Sequence, residues 1–85
     1  MTPLEPAPLP SHDKAIDITA ETCPFTFVRT RLALDTLRPG QTLLVRLRGE
    51  EPLANVPRAA ADHGHDPLEL LEQPDGSWLL LIRKG

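Results

Sequence analysis

Prolines and glycines cut this 85-residue chain into segments too short for any large architecture. Pro24, the pair Pro39-Gly40, Pro52, Gly64 and the run Pro74-Asp75-Gly76-Ser77 each mark a start, a stop or a turn. The stretches between them have readable periods. Ala15 to Thr19 alternates Ile16 and Ile18 against Asp17 and Thr19, a short strand with one buried face. Pro24 fits the first position of a helix, because its missing N–H had no partner there. That helix, apolar-periodic from Phe27 to Leu37, ends at Pro39-Gly40. At 100° per residue Phe27, Thr30, Ala33, Leu34 and Leu37 share its core stripe, while Val28 and Leu32 fall on a different side.

Thr42 to Arg48 alternates Leu43, Val45 and Leu47 against Leu44, Arg46 and Arg48 and reads as the clearest strand. Glu50-Glu51-Pro52 is an acidic helix start. The second helix runs to about His63 and stops at Gly64, with Pro57 delaying its regular part to near Val56. Leu68–Glu72 and Trp78–Arg83 are two further strands joined by the turn 74–77. The order is βαβαββ. The expected fold is α+β, a two-layer sandwich of a four-stranded mixed sheet with two helices packed on one face. Residues 1–13, with Pro3, Pro6, Pro8 and Pro10 and no apolar period, are expected to be a disordered lead-in, and 14–85 the folded domain.

Composition narrows the function. Nine basic against twelve acidic side chains give a net charge of −3, and aromatics make up only 4%, which excludes a general nucleic-acid binder with a basic face or a base-stacking platform. The longest apolar run, Trp78 to Ile82, falls far short of the ~20 residues that span a bilayer. The first ten residues lack the basic start and apolar stretch of a signal peptide. A cytoplasmic protein is expected, where a free thiol stays reduced. The charge is uneven: Arg29, Arg31, Arg38, Arg46 and Arg48 follow Cys23, and acids collect from Glu50 onward.

Cys23 is the only cysteine. It falls at the junction of the first strand and first helix, at or beside the helix N-cap. Unpaired N–H groups and the positive end of the macrodipole favour an anion there and lower a thiol's pKa below its free value of ~8.5. Its bland alternative is a buried small apolar side chain. Arg29 and Arg31 would add positive field, or simply form a solvated face. Val28 and Leu32 are either an exposed apolar strip near the thiol or a packing surface for the N-terminal segment or sheet edge. Phe25 is either a docking contact or a cap over the core. His63 and His65 bracket Gly64, but two histidines at this spacing with one distant cysteine match no zinc pattern, so no metal is expected. Ser11 and Ser77 have no base partner in the sequence, which leaves a hydrolytic triad unsupported.

The chain resembles the TusA/SirA family of small sulfur-carrier proteins. The residues that carry the likeness are Ile18-Thr19 to Cys23-Pro24, Arg29 to Leu34, Leu37-Arg38-Pro39-Gly40, Glu51-Pro52, Val56-Pro57-Arg58, Gly64-His65 and Leu81 to Lys84. The resemblance implies a βαβαββ sandwich and a cysteine that carries sulfur as a persulfide. It also implies a cysteine desulfurase or other sulfur donor, and an acceptor sulfurtransferase in tRNA thiolation, cofactor synthesis or sulfur metabolism. No cofactor is implied, and the activity is a relay rather than turnover of a small molecule. A monomer is expected. The family's Cys-Pro-x-Pro motif is Cys23-Pro24-Phe25-Thr26 here. With Cys23 as N-cap, Thr26 stands at the third helical position and supplies an N–H that proline would remove, plus a hydroxyl. Two other functions compete: a binding or regulatory module that kept the fold and lost the chemistry, and a single-thiol redox sensor forming mixed disulfides.

Overall fold

The computed structural model describes residues 11–22 and 25–85. Its elements are β1 (Lys14–Asp17), α1 (Phe25–Asp35), β2 (Thr42–Leu47), α2 (Glu50–Asp62), β3 (Asp66–Glu72) and β4 (Trp78–Arg83). The fold is α+β, with the expected βαβαββ order. The strands form one sheet in the order β1-β2-β4-β3. β1 is parallel to β2, with Lys14 opposite Leu43 and Asp17 opposite Arg46. β4 runs antiparallel to both β2 and β3. The two pairings need different connections: a parallel pair requires a crossover, which α1 makes, whereas antiparallel β3 and β4 close with a short turn. In that turn Gln73 N–H donates to Ser77 O (2.9 Å), Gly76 N–H to Gln73 O (3.1 Å), and Gly76 takes a φ of 86° that only glycine adopts without strain.

The two faces of the sheet are unequal. Leu43, Val45, Leu47, Leu80 and Ile82 point to one side, where they bury Ile18, Ala33, Leu34, Val56 and Ala60 in a single apolar layer shared by both helices. Leu44, Leu79 and Leu81 form a separate small cluster on the other side. The buried side of α1 comprises Thr26, Thr30, Ala33 and Leu34. Phe27 and Leu37, expected in the stripe, only edge it, half-buried. Thr30 tolerates complete burial because its hydroxyl donates to the Thr26 carbonyl at 2.9 Å.

Helix α2 corrects the expectation that Pro57 delays regular structure to Val56. The helix is regular from Glu50, and Pro57 sits inside it. Proline removes one N–H, but Leu53, Val56 and Ala60 still press one face of the helix into the core, and that packing holds the turns on either side. β3 begins at Asp66, ahead of the expected Leu68, because Asp66 and Pro67 pair with Arg83 and Ile82 before a register shift. Residues 1–10 of the expected lead-in lie outside the described residues. Asp13 is bonded to the start of β2: its N–H donates to Thr42 O (2.9 Å), and its carboxylate accepts from Thr42 N–H (2.8 Å).

Two leucines of α1 test this layering. Leu34 is fully buried and Leu32 is 59% exposed. Leu34→Ala should cost about 2–5 kcal/mol of unfolding free energy in urea titration, and Leu32→Ala no more than about 0.5 kcal/mol. Equal losses would contradict the assigned core.

Candidate functional site

The parallel β1–β2 pair fixes where the β1–α1 connection leaves the sheet. Ile18 N–H donates to Arg46 O (2.9 Å), Glu21 N–H to Ile18 O (3.0 Å) and Phe25 N–H to Thr22 O (2.6 Å). Ile18, where the connection begins, therefore lies beside the end of β2 and the start of β4. Cys23 and Pro24, the expected nucleophile and helix-opening proline, lie outside the described residues. Their flanks are described. Thr22 is exposed, α1 is helical from Phe25, and its first turn holds no acidic side chain to offset the helix dipole.

The remaining expected site residues divide between the two sides of α1. Thr26 is buried in the first turn. Arg29 is half-exposed and ion-paired, with its Nη1 3.0 Å from Glu21 Oε2, so its field is partly cancelled by a neighbour and by solvent. Arg31 is exposed and forms no ion pair among the described residues. Phe25, Val28 and Leu32 are 55%, 44% and 59% exposed. Their spacing strings them along one side of the helix, away from Thr30 and Leu34. Leu32 also lines a cleft of about 380 Å³ with Lys14, Ile16, Arg29 and Thr36 at the β1 edge.

At the same end of the sheet stands a charged cluster that the sequence did not disclose. Arg46 Nη1 donates to Ser77 Oγ (2.8 Å) and lies 3.6 Å from the Asp75 carboxylate. Arg48 Nη2 donates to the Asp75 carbonyl (3.1 Å). Ser77, itself fully buried, returns its N–H and hydroxyl to Asp75 Oδ1. Across the sheet Asp17 Oδ1 accepts from Thr19 N–H (2.9 Å) and Thr19 Oγ1 (2.7 Å). Hydrogen bonds from Thr19 hold the Asp17 carboxyl below its ordinary pKa, and those from Ser77 do the same for Asp75; Arg46 and Arg48 add to both. The repeated spacing Asp17-x-Thr19 and Asp75-x-Ser77 was the available signal, since an Asp bonds its own backbone two residues on. Nothing local announces the arginines that join them. Below the cluster, on the face without helices, Ala15, Asp17, Leu44, Arg46 and Leu79 line a hollow of about 290 Å³.

The histidines do structural work. His63 Nδ1 lies 2.9 Å from the Ala59 carbonyl, and its ring rests on Phe27 with centroids 5.1 Å apart. His65 Nδ1 accepts the Gly85 N–H at 3.1 Å, and burial pushes its pKa down. Among the described residues no helix is long and apolar enough to cross a membrane.

Comparison with known proteins converges on one group. The family model described as "Sulfurtransferase TusA" matches residues 14–84. A protein of Archaeoglobus fulgidus named "Putative sulfur carrier protein" is 35% identical over 72 residues, covering 85% of this chain and 82% of its own length. A namesake from Thermotoga maritima is 30% identical over 70 residues, covering 82% of this chain and 89% of its own. The crystal structure of a SirA-like protein from Desulfitobacterium hafniense superposes with a TM-score of 0.76 at 26% identity, spanning 86% of this chain and 99% of the other.

The charged cluster has a pH signature. Because Asp17 and Asp75 have folded pKa values below their unfolded ones, their contribution is fully present above about pH 4 and is lost as pH falls through the lowered values. Asp17→Asn and Asp75→Asn should therefore lower the melting temperature at pH 7 and flatten its decline below about pH 4, as followed by circular dichroism. An unchanged acid slope in both variants would remove the cluster from the stability of the fold.

Proposed function

The chain belongs to the TusA sulfurtransferase family, and from that premise we propose that it is a sulfur carrier in which Cys23 holds sulfane sulfur as a persulfide. The Cys23 thiolate attacks the terminal sulfur of a donor persulfide. The donor S–S bond breaks, the donor thiolate leaves, and a Cys23 persulfide forms with no net oxidation or reduction. An acceptor thiolate then attacks that terminal sulfur and releases Cys23 as thiolate. A helix start favours the anionic form at both stages. The relay needs no cofactor and is not turnover of a small molecule.

The observation that carries this reading is the two-sided character of α1. The helix follows Cys23-Pro24 immediately, buries Thr26, Thr30 and Leu34, and leaves Phe25, Val28 and Leu32 exposed in a strip that starts beside the cysteine. An exposed apolar strip flanked by Arg29 and Arg31 suits transient docking of a donor such as a cysteine desulfurase, and of an acceptor sulfurtransferase in tRNA thiolation, cofactor synthesis or sulfur metabolism. Thr26, in place of the family's second proline, keeps an N–H donor in the first turn of α1. The carrier is a monomeric, cytoplasmic protein whose 14–85 unit makes protein contacts and none with nucleic acid. There the reducing compartment keeps Cys23 free.

Incubated with a cysteine desulfurase and cysteine, the full chain should acquire one sulfur atom in intact-mass spectra, and Cys23→Ser should not. Loading of the serine variant, or none of the native chain, overturns the assignment. Leu32→Glu should slow loading by about tenfold or more while leaving the melting temperature within a few degrees, since it disrupts an exposed contact and not the core. Unchanged loading would release the α1 strip from donor docking.

A further inference from the structure

Strand β3 is an outer strand, paired among the described residues with β4 on one side only. Its free edge presents unpaired backbone groups, which proteins normally blunt with a short strand, a lysine or a covering segment. The opposite edge is blunted in this way. β1 has four residues and carries Lys14, whose Nζ donates to Thr36 of α1, and Asp13 before it is bonded to Thr42. β3 is protected only in its first half, where Pro67 and the register shift at Pro67/Glu69 interrupt the edge; from Glu69 to Glu72 no proline, bulge, lysine or covering segment is present among the described residues. It spans seven residues without a lysine or arginine, all exposed except half-buried Pro67. The register shift between Pro67 and Glu69 disturbs only its first half, and from Glu69 to Glu72 it pairs regularly with Leu81 to Trp78.

That regular half carries a recognition pattern. Leu70 and Leu71 are 40% and 38% exposed. Leu70 faces the helix side opposite Leu80, next to a cavity of about 190 Å³ lined by Pro57, Pro67, Leu68 and Leu80, room for one aliphatic side chain. Leu71 lies on the face without helices, opposite Leu79. Glu69 and Glu72 flank them and form no ion pair among the described residues, whereas Asp66 is engaged by Arg83 at 2.6 Å.

We propose that the β3 edge docks an extended segment of another protein with the pattern basic–apolar–apolar–basic, added as a further strand of the sheet. Main-chain hydrogen bonds supply the affinity. One apolar side chain enters the cavity beside Leu70, its neighbour covers Leu71, and the two basic residues stand opposite Glu69 and Glu72. A second copy of this chain is a poor occupant. Glu69-Leu70-Leu71-Glu72 reads the same in both directions, so any register that sets leucine on leucine throughout also sets glutamate on glutamate at both ends. Charge complementarity therefore selects a basic strand. The edge is distinct from α1, and the assignment does not depend on the sulfur-carrier reading.

The probe is the hexapeptide Thr-Lys-Val-Val-Lys-Thr with blocked ends, titrated into the isotope-labelled full chain and followed by amide NMR shifts. Shifts should centre on Glu69 to Glu72 and weaken with added salt. The counterpart Thr-Glu-Val-Val-Glu-Thr should bind at least about tenfold more weakly, and the double variant Glu69→Lys/Glu72→Lys should invert that preference. Both positions are exposed, so the variant is expected to keep the native melting temperature. Shifts centred elsewhere, equal binding of the two peptides, or a concentration-dependent dimer through β3 would each overturn the proposal.

Discussion

The parallel pairing of β1 with β2 is the constraint on which the remaining structure depends. Two parallel neighbours cannot be joined by a hairpin, so the chain must leave the end of β1, cross the sheet and return to the start of β2. The crossing element is α1, and its entry is thereby held beside Arg46 by the Ile18 N–H bond. The same constraint frees the other half of the chain. β4 completes the sheet antiparallel to β2, which leaves β3 to close as a hairpin on the outside. One pairing choice thus places both the start of α1 and, among the described residues, an open sheet edge at β3.

With one helical layer on one face, the core is thin, and the helices are used differently. α2 buries Val56 and Ala60 and turns its charged residues outward, which is all an amphipathic helix must do for stability. α1 buries Leu34 and Ala33 yet also exposes Phe25, Val28 and Leu32. Stability does not require that second set, because exposed leucine and phenylalanine add nothing to a core they do not touch. Its position directly after Cys23-Pro24 in the sequence is why the proposed function assigns it to docking.

Much of this was legible in the sequence because it is local. Alternation in Leu43 to Leu47, the stop at Pro39-Gly40 and the turn at Pro74 to Ser77 each fix their element within a few residues, and the six elements appear in the expected order. Pro57 departs from the local rule about a missing N–H because the packing of Leu53, Val56 and Ala60 outweighs it. The proposed thiol site was legible only through Cys23, Pro24 and the family likeness, and the structure describes the residues on either side of that pair. The cluster of Arg46, Arg48, Asp75 and Ser77 was hidden for another reason: its members are about 30 residues apart in sequence and meet only through the β2–β4 register.

That cluster changes how the charge of the chain should be understood. The arginines after Cys23 make one half of the sequence positive, but Arg29 is answered by Glu21, and Arg46 and Arg48 by Asp75. The cationic character left near the junction is concentrated on α1 at Arg31, beside the apolar strip. At the far edge Glu69 and Glu72 are the charges without an ion pair among the described residues. The α1 strip and the β3 edge have opposite sign and lie toward opposite edges of the four-stranded sheet, separated by about 14 Å of strand spacings. Beyond a Debye length of ~8 Å their fields are largely independent. On the two proposals above, a basic strand seated on β3 leaves α1 open, and a carrier of this kind is held by one protein while it exchanges sulfur with another.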